Sequence, residues 1–188
     1  MISESSQTKI EFFEIPRRNL PKYTKANILI QDRREPHEID ILTLADHVFR
    51  VVEVEGPIHE EEIARRIAVA CGKEKAGSRI MERVSQAIRF DCNKSAPRIL
   101  RDKGFCFTQV QYETPPLRDR SLENGYIAKA TNISILEIKQ CLKLVIQDSC
   151  GGSDQEIIRE AAKLLGFKRV GSDLQARMEM GIRELNEE

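Results

Sequence analysis

Residues 60–90 read EEEIARRIAVACGKEKAGSRIMERVSQAIRF, and residues 154–184 read DQEIIREAAKLLGFKRVGSDLQARMEMGIRE. Working outward from this pair, residues 38–90 align with 132–184 at a constant offset of 94, without a gap and with 14 identities in 53 pairs. Among these are Ile39/Ile133, Leu42/Leu136, Val51/Val145, Glu62/Glu156, Arg65/Arg159, Gly72/Gly166, Gly77/Gly171, Ser78/Ser172, Arg83/Arg177 and Arg89/Arg183. Self-similarity at a fixed spacing is the signature of a repeated structural unit. Two copies of one small helical unit are expected. Each alone would have a marginal core, so the copies should pack on each other or on the segments between them.

The first copy reads as three helices and a hairpin. Ile39, Leu42, Ala45, Val48, Phe49 and Val52 recur at helical spacing across Glu38–Val54. Gly56-Pro57-Ile58 ends that helix as a short extended link, because proline cannot continue a helix interior. His59-Glu60-Glu61-Glu62 opens a second helix with acids at its positive end, Ile63, Ile67 and Ala70 form its buried face, and Gly72 stops it. Ser78 is a good N-cap for a third helix running to about Phe90, with Ile80, Val84, Ala87 and Ile88 as its apolar stripe. Ile99-Leu100 and Phe105-Cys106-Phe107 around Arg101-Asp102-Lys103-Gly104 suit a hairpin. Helix, extended link, helix, glycine-containing turn, helix and hairpin is the order of a winged helix-turn-helix.

The second copy repeats the helices at Ile133–Gln147, Ser153–Leu165 and Ser172–Asn186, with no hairpin after the last. Either this copy has no wing, or the N-terminal strands supply its edge. The fold expected is mainly α with short β hairpins, built from tandem winged helix-turn-helix-like repeats. Its parts are a strand-containing arm (1–37, with strands at Lys9–Ile15 and Asn27–Gln31), a first winged-helix-like repeat (38–110), a Pro-containing connector (111–131) and a second repeat lacking the wing (132–188).

No apolar run approaches the roughly 20 residues that span a bilayer, and Met1–Ser6 lacks the pattern of a signal peptide. The five cysteines include no CxxC pair, and His37, His47 and His59 have no ligand spacing with them. Reduced thiols in a cytoplasmic protein, with no metal or other cofactor, are the expectation. No phosphate-binding loop and no dinucleotide fingerprint occurs. Nor does any paired-carboxylate, Cys/His or Ser/His constellation stand out, so catalysis by this chain alone is not expected.

Formal net charge is zero, but the charge is unevenly placed. Glu38–Cys71 carries 3 basic and 8 acidic residues, whereas Gly72–Gly104 carries 9 basic and 4 acidic. The positive stretch covers the third helix and the hairpin, which a winged helix presents to DNA. Arg79 and Arg83, four residues apart, share a helical face opposite the apolar stripe. Two readings stand: a face that neutralises phosphates, or the solvated side of an amphipathic helix. Gly77-Ser78 and Gly171-Ser172, each preceded by basic residues (Lys75; Lys168 and Arg169), carry the same double reading of phosphate-binding helix start and plain cap. Gly166–Glu188 holds four basic residues against five acids, which suits packing or partner binding.

Val51–Ala68, containing Glu55-Gly56-Pro57-Ile58-His59, then Ala76-Gly77-Ser78-Arg79-Ile80, resembles a domain of unknown function at the C-terminus of bacterial superfamily I DNA helicase-related proteins. In those proteins it follows helicase and very-short-patch-repair-like endonuclease regions. Pro115-Pro116-Leu117-Arg118-Asp119-Arg120-Ser121 and Leu164–Ser172 resemble later parts of the same region. The resemblance implies an accessory role in DNA processing, with motor and nuclease elsewhere. This chain has neither catalytic region, so it is a fragment of a larger protein or a stand-alone relative working with a partner. Asp173 stands where the first copy has Arg79.

The expectation is therefore a non-catalytic DNA-binding module without membrane contact. Lys73, Lys75, Ser78, Arg79 and Arg83 would contact backbone or groove, and Arg101 and Lys103 an adjacent phosphate or the minor groove. The alternative is a protein-interaction or dimerisation module on the same fold.

Overall fold

The computed structural model describes residues 18–31, 34–148 and 152–187. The strand expected at Lys9–Ile15 lies outside them. Among the described residues there are seven α-helices and three short strands. No helix among them is long and apolar enough to cross a membrane.

Helix α1 (Ile41–Glu55) begins later than its periodicity suggests, because Asp40 caps it. The Asp40 carboxylate accepts from the Leu42 and Thr43 amides at 3.0 and 3.2 Å. Leu44, Ala45, Val48, Val51 and Val52 are buried along one face, while Leu42, expected in the stripe, is exposed. Strand β1 (Ile58–His59) follows, then α2 (Glu60–Ala70), α3 (Ser78–Cys92), β2 (Leu100–Asp102) and β3 (Phe105–Phe107). The link after α1 is thus a strand. It pairs antiparallel with β3, giving the sheet order β1-β3-β2 with Ile58 opposite Cys106. Lys103 and Gly104, both left-handed at φ 46° and 83°, close the β2–β3 hairpin. Positive φ at both central residues is the signature of a type I′ turn.

A short helix α4 (Gln109–Glu113) and an irregular connector with one 3-10 turn (Ala130–Asn132) lead to α5 (Ile135–Asp148), α6 (Asp154–Leu164) and α7 (Ser172–Asn186). The offset of 94 maps α2 onto α6 and α3 onto α7 residue for residue. It also maps the turn between them. Gly72 and Gly166 are left-handed, at φ 73° and 92°. The Lys73 amide reaches the Ala68 carbonyl at 2.8 Å, as Phe167 reaches Ala162 at 2.9 Å. These bonds form the same helix-terminating Schellman motif twice. The described residues of the second copy form no strand.

Each copy has its own core. Ile39, Val48, Ile63, Ile67, Val84, Ile88 and Ile99 belong to the first, and Ile133, Ile138, Leu142, Ile158, Leu165 and Met178 to the second. Between them run the connector and the N-terminal segment, which meet at one parallel bridge, Lys22 to Asp119. Asn27–Gln31, expected as a strand, joins no sheet; Ile30 packs into the first core instead.

Arg118 and Arg120 are both buried. Arg118 donates to the Glu55 carbonyl at 2.6 Å and to the Gly56 carbonyl, capping the C-terminal end of α1. Arg120 forms a two-bond pair with the fully buried Glu137 of α5 at 2.6 and 2.7 Å. The Tyr23 ring lies 5.5 Å from one guanidinium and 5.1 Å from the other. Its hydroxyl donates to Glu55 at 2.8 Å, and Arg66 holds that carboxylate at 2.7 and 2.8 Å. The Pro-Pro-Leu-Arg-Asp-Arg-Ser stretch is the seam of the molecule.

Candidate functional site

The third helix and the hairpin flank an open groove of about 490 Å³ lined by Arg89, Cys92, Asn93, Arg101, Asp102, Lys103 and Gly104. Its shape depends on how the chain leaves α3. Asp91 is fully buried. Its carboxylate accepts from the Arg98 and Ile99 amides at 2.9 and 3.2 Å, from Arg98 Nε at 2.9 Å and from Lys94 at 2.9 Å. Burial works against its charge, but the bonds from Arg98 and Lys94 outweigh that and hold it below the usual aspartate range. This cluster folds Asn93–Arg98 back so that β2 lies beside the C-terminal end of α3.

The residues expected to contact DNA fall into three situations. Lys75, Ser78 and Arg79 are exposed at the start of α3, and neither cation makes an ion pair among the described residues. Lys73, Arg101 and Lys103 already have carboxylate partners. Lys73 holds Glu35 at 2.8 Å, Arg101 holds both oxygens of Glu60 at 3.0 Å, and Lys103 lies 3.7 Å from Glu184 of α7. Arg83 is half-buried, and its guanidinium donates to the Ile39 carbonyl at 2.9 Å. Arg177 does the same to Ile133. The Arg83/Arg177 identity therefore ties the third helix of each copy to the start of its first, and Arg83 does not join Arg79 on a free face. Ser78 is also displaced from its expected role: Gly77 is the N-cap and Ser78 the first helical residue.

Five groove residues were not expected as site residues: Arg89, Cys92, Asn93, Asp102 and Gly104. Arg89 is matched by Arg183 and lies outside the apolar stripe, which was the available signal. It donates to Glu82 at 3.1 Å and stays exposed. Cys92 is a half-buried thiol whose pKa is pushed up by burial and by neighbouring Asp91. With Arg89, Arg101 and Lys103 against Asp102, the lining is net cationic.

A second polar cluster sits at the seam. His59 caps α2, its Nδ1 accepting from the Glu61 amide at 3.4 Å. Tyr126 Oη lies 3.2 Å from that nitrogen and donates to Glu61 at 2.6 Å. The Arg65 guanidinium covers the Tyr126 ring at 3.6 Å. Burial and then the Glu61 carboxylate push the phenol up to about 12. The adjoining cavity, about 10 Å³, has room for no more than one water. Every group here has a structural partner, so the cluster is a clasp between connector and first repeat. Among the described residues no group of three or more His, Cys, Asp or Glu could hold a metal ion.

Residues 34–82 match the family model described as a protein of unknown function (DUF3320). The match covers α1, β1, α2 and the first turn of α3, and stops before the groove. Among curated proteins and among solved structures, nothing matches the chain.

Proposed function

We infer that the chain is a non-catalytic DNA-binding accessory module of a helicase/nuclease-type protein, using the first repeat as a winged helix on duplex DNA. The observation that carries this reading is the cationic groove between α3 and the hairpin, with Arg89, Arg101 and Lys103 around it. Lys75 and Arg79 add exposed charge at the other end of the same helix. The element order α1-β1-α2-α3-β2-β3 supports it, being that of a winged helix-turn-helix. The lining includes no aromatic ring. Single-strand binders rely on stacking platforms, so backbone contact with a duplex is favoured.

The test is fluorescence anisotropy of the full chain with duplex and single-stranded DNA across a salt series. Affinity for the duplex should fall log-linearly with salt, with a slope of about −3 for three to four phosphates. Lys75→Glu with Arg79→Glu should weaken it at least tenfold. These two are preferred to Arg83, whose replacement would loosen the fold. An affinity indifferent to salt and to this reversal would remove the reading.

The second reading is a protein-interaction or dimerisation module. Its support is that Lys73, Arg101, Lys103 and Arg89 are already matched with carboxylates. Sedimentation of the chain without DNA separates the two, because self-association would appear there.

A further inference from the structure

We propose that the groove at the C-terminal end of α3 is a seat for phosphate esters, held closed to weak ligands by three carboxylates, one of them supplied by the second repeat. The proposal rests on the DNA-binding reading for the biological source of the phosphate, but not for the site itself.

The volume, about 490 Å³, falls within the roughly 300–1,000 Å³ of small-ligand sites. Its lining carries three cations, Arg89, Arg101 and Lys103, against one acid, Asp102, and the Asn93 amide adds a neutral donor. Two guanidiniums and an ammonium suit phosphate oxygens, which accept paired guanidinium bonds. Lys103 adds a second, independent sign. It holds a left-handed φ of 46° at a turn position where glycine or asparagine is unstrained. A cation kept at a strained position points to use of its charge.

Each cation is presently engaged by a carboxylate from a different helix. Glu60 of α2 holds Arg101, Glu82 of α3 holds Arg89, and Glu184 of α7 lies 3.7 Å from both Lys103 and Lys139. All three pairs are substantially exposed, so each is weak and easily exchanged. A phosphodiester entering the groove takes over the guanidiniums and the ammonium, and the carboxylates turn to solvent. No bond is made or broken in this exchange. It gives the second repeat a part in binding without touching the ligand, because Glu184 competes for the hairpin tip.

The experiment is a ¹⁵N NMR titration of the full chain with inorganic pyrophosphate and, separately, with a short DNA duplex. The Asn93 side-chain amide and the Gly104 backbone amide are the reporters. Both ligands should shift them, and Arg89→Gln with Arg101→Gln should remove the shifts. Glu184→Gln should tighten binding about two- to threefold, the scale of one exposed ion pair, and Lys103→Gln should cancel that gain. Duplex binding with both reporters unmoved would overturn the seat while leaving DNA binding intact. Pyrophosphate shifts without duplex binding would keep the seat, assign it to small phosphate esters, and remove the DNA reading. Unchanged affinity in Glu184→Gln would overturn the competition by the second repeat.

Discussion

Helices α3 and α7 start alike and end differently. Their first residues are Ser78 and Ser172, each after a glycine cap, and an arginine one turn on, Arg83 or Arg177, ties each to its own first helix. Near the C-terminal end, Asp91 of α3 corresponds to Leu185 of α7. Asp91 is buried and gathers the backbone of Arg98 and Ile99, turning the chain into the hairpin. Leu185 packs against the second core. The repeat therefore teaches that one position separates a copy that returns its chain as a hairpin from a copy that uses the same place to complete its core.

The connector pair tests the difference most severely, because among the described residues only the second repeat is held to the connector through a buried ion pair, Arg120 with Glu137. Arg120→Ala should cost about 3–5 kcal/mol by leaving Glu137 charged and unpaired. Urea denaturation reads this directly, and restoration by adding Glu137→Leu would locate the cost in the orphaned carboxylate. The two left-handed glycines come next. A Cβ on Gly166 would lie 2.3 Å from Asp119 Oδ1 and 2.4 Å from the Ser121 nitrogen, whereas one on Gly72 meets nothing within 4 Å. Gly72→Ala should cost about 1 kcal/mol, from the left-handed backbone alone. Gly166→Ala should cost about 3 kcal/mol, strain plus displacement of the seam. Equal costs in thermal melts would mean that the connector yields freely.

Acid should act on the first repeat through Asp91. Its pKa is depressed in the folded chain, so its stabilisation is complete above the ordinary aspartate value of about 3.9 and is lost as pH falls through the folded value. Hydrogen exchange of the Arg98 and Ile99 amides should therefore stay slow at pH 5 and rise only well below pH 4. Asp91→Asn should make that exchange fast at both. Smallest of all, Arg83→Met and Arg177→Met should each cost about 1 kcal/mol, one hydrogen bond to a carbonyl. Matching values would show the repeat preserved in energy as well as in sequence; a large excess at Arg83 would mean that it carries more than the Ile39 carbonyl.

The six helices of the two repeats were legible because apolar periodicity and glycine stops are local signals, and internal alignment supplied each of them twice; α4, five residues long and outside the repeat, was not. Capping was less so: Ser78 and Gly77 are both good cap residues, and the backbone chose the glycine. The candidate site was half legible. Charge counting found the positive stretch from Gly72 to Gly104, but not which cations are free, because the partners of Lys73, Arg101 and Lys103 lie 38, 41 and 81 residues away (Glu35, Glu60 and Glu184). The buried roles of Arg83, Asp91, Arg118 and Arg120 were hidden for the same reason. A charged residue looks alike in sequence whether it faces water or a distant carbonyl.

The seam has a consequence for how this chain can change length. Arg118 and Arg120 face inward on either side of Asp119, which faces Lys22, as alternate residues do on extended backbone. One inserted residue between them would turn one arginine outward and strand Glu137 or the end of α1. Two would restore the facing but move the repeats apart by about 7 Å. Insertions and deletions in 111–131 should thus be tolerated around Leu122–Gly125, and excluded from the three residues that keep the two halves in phase.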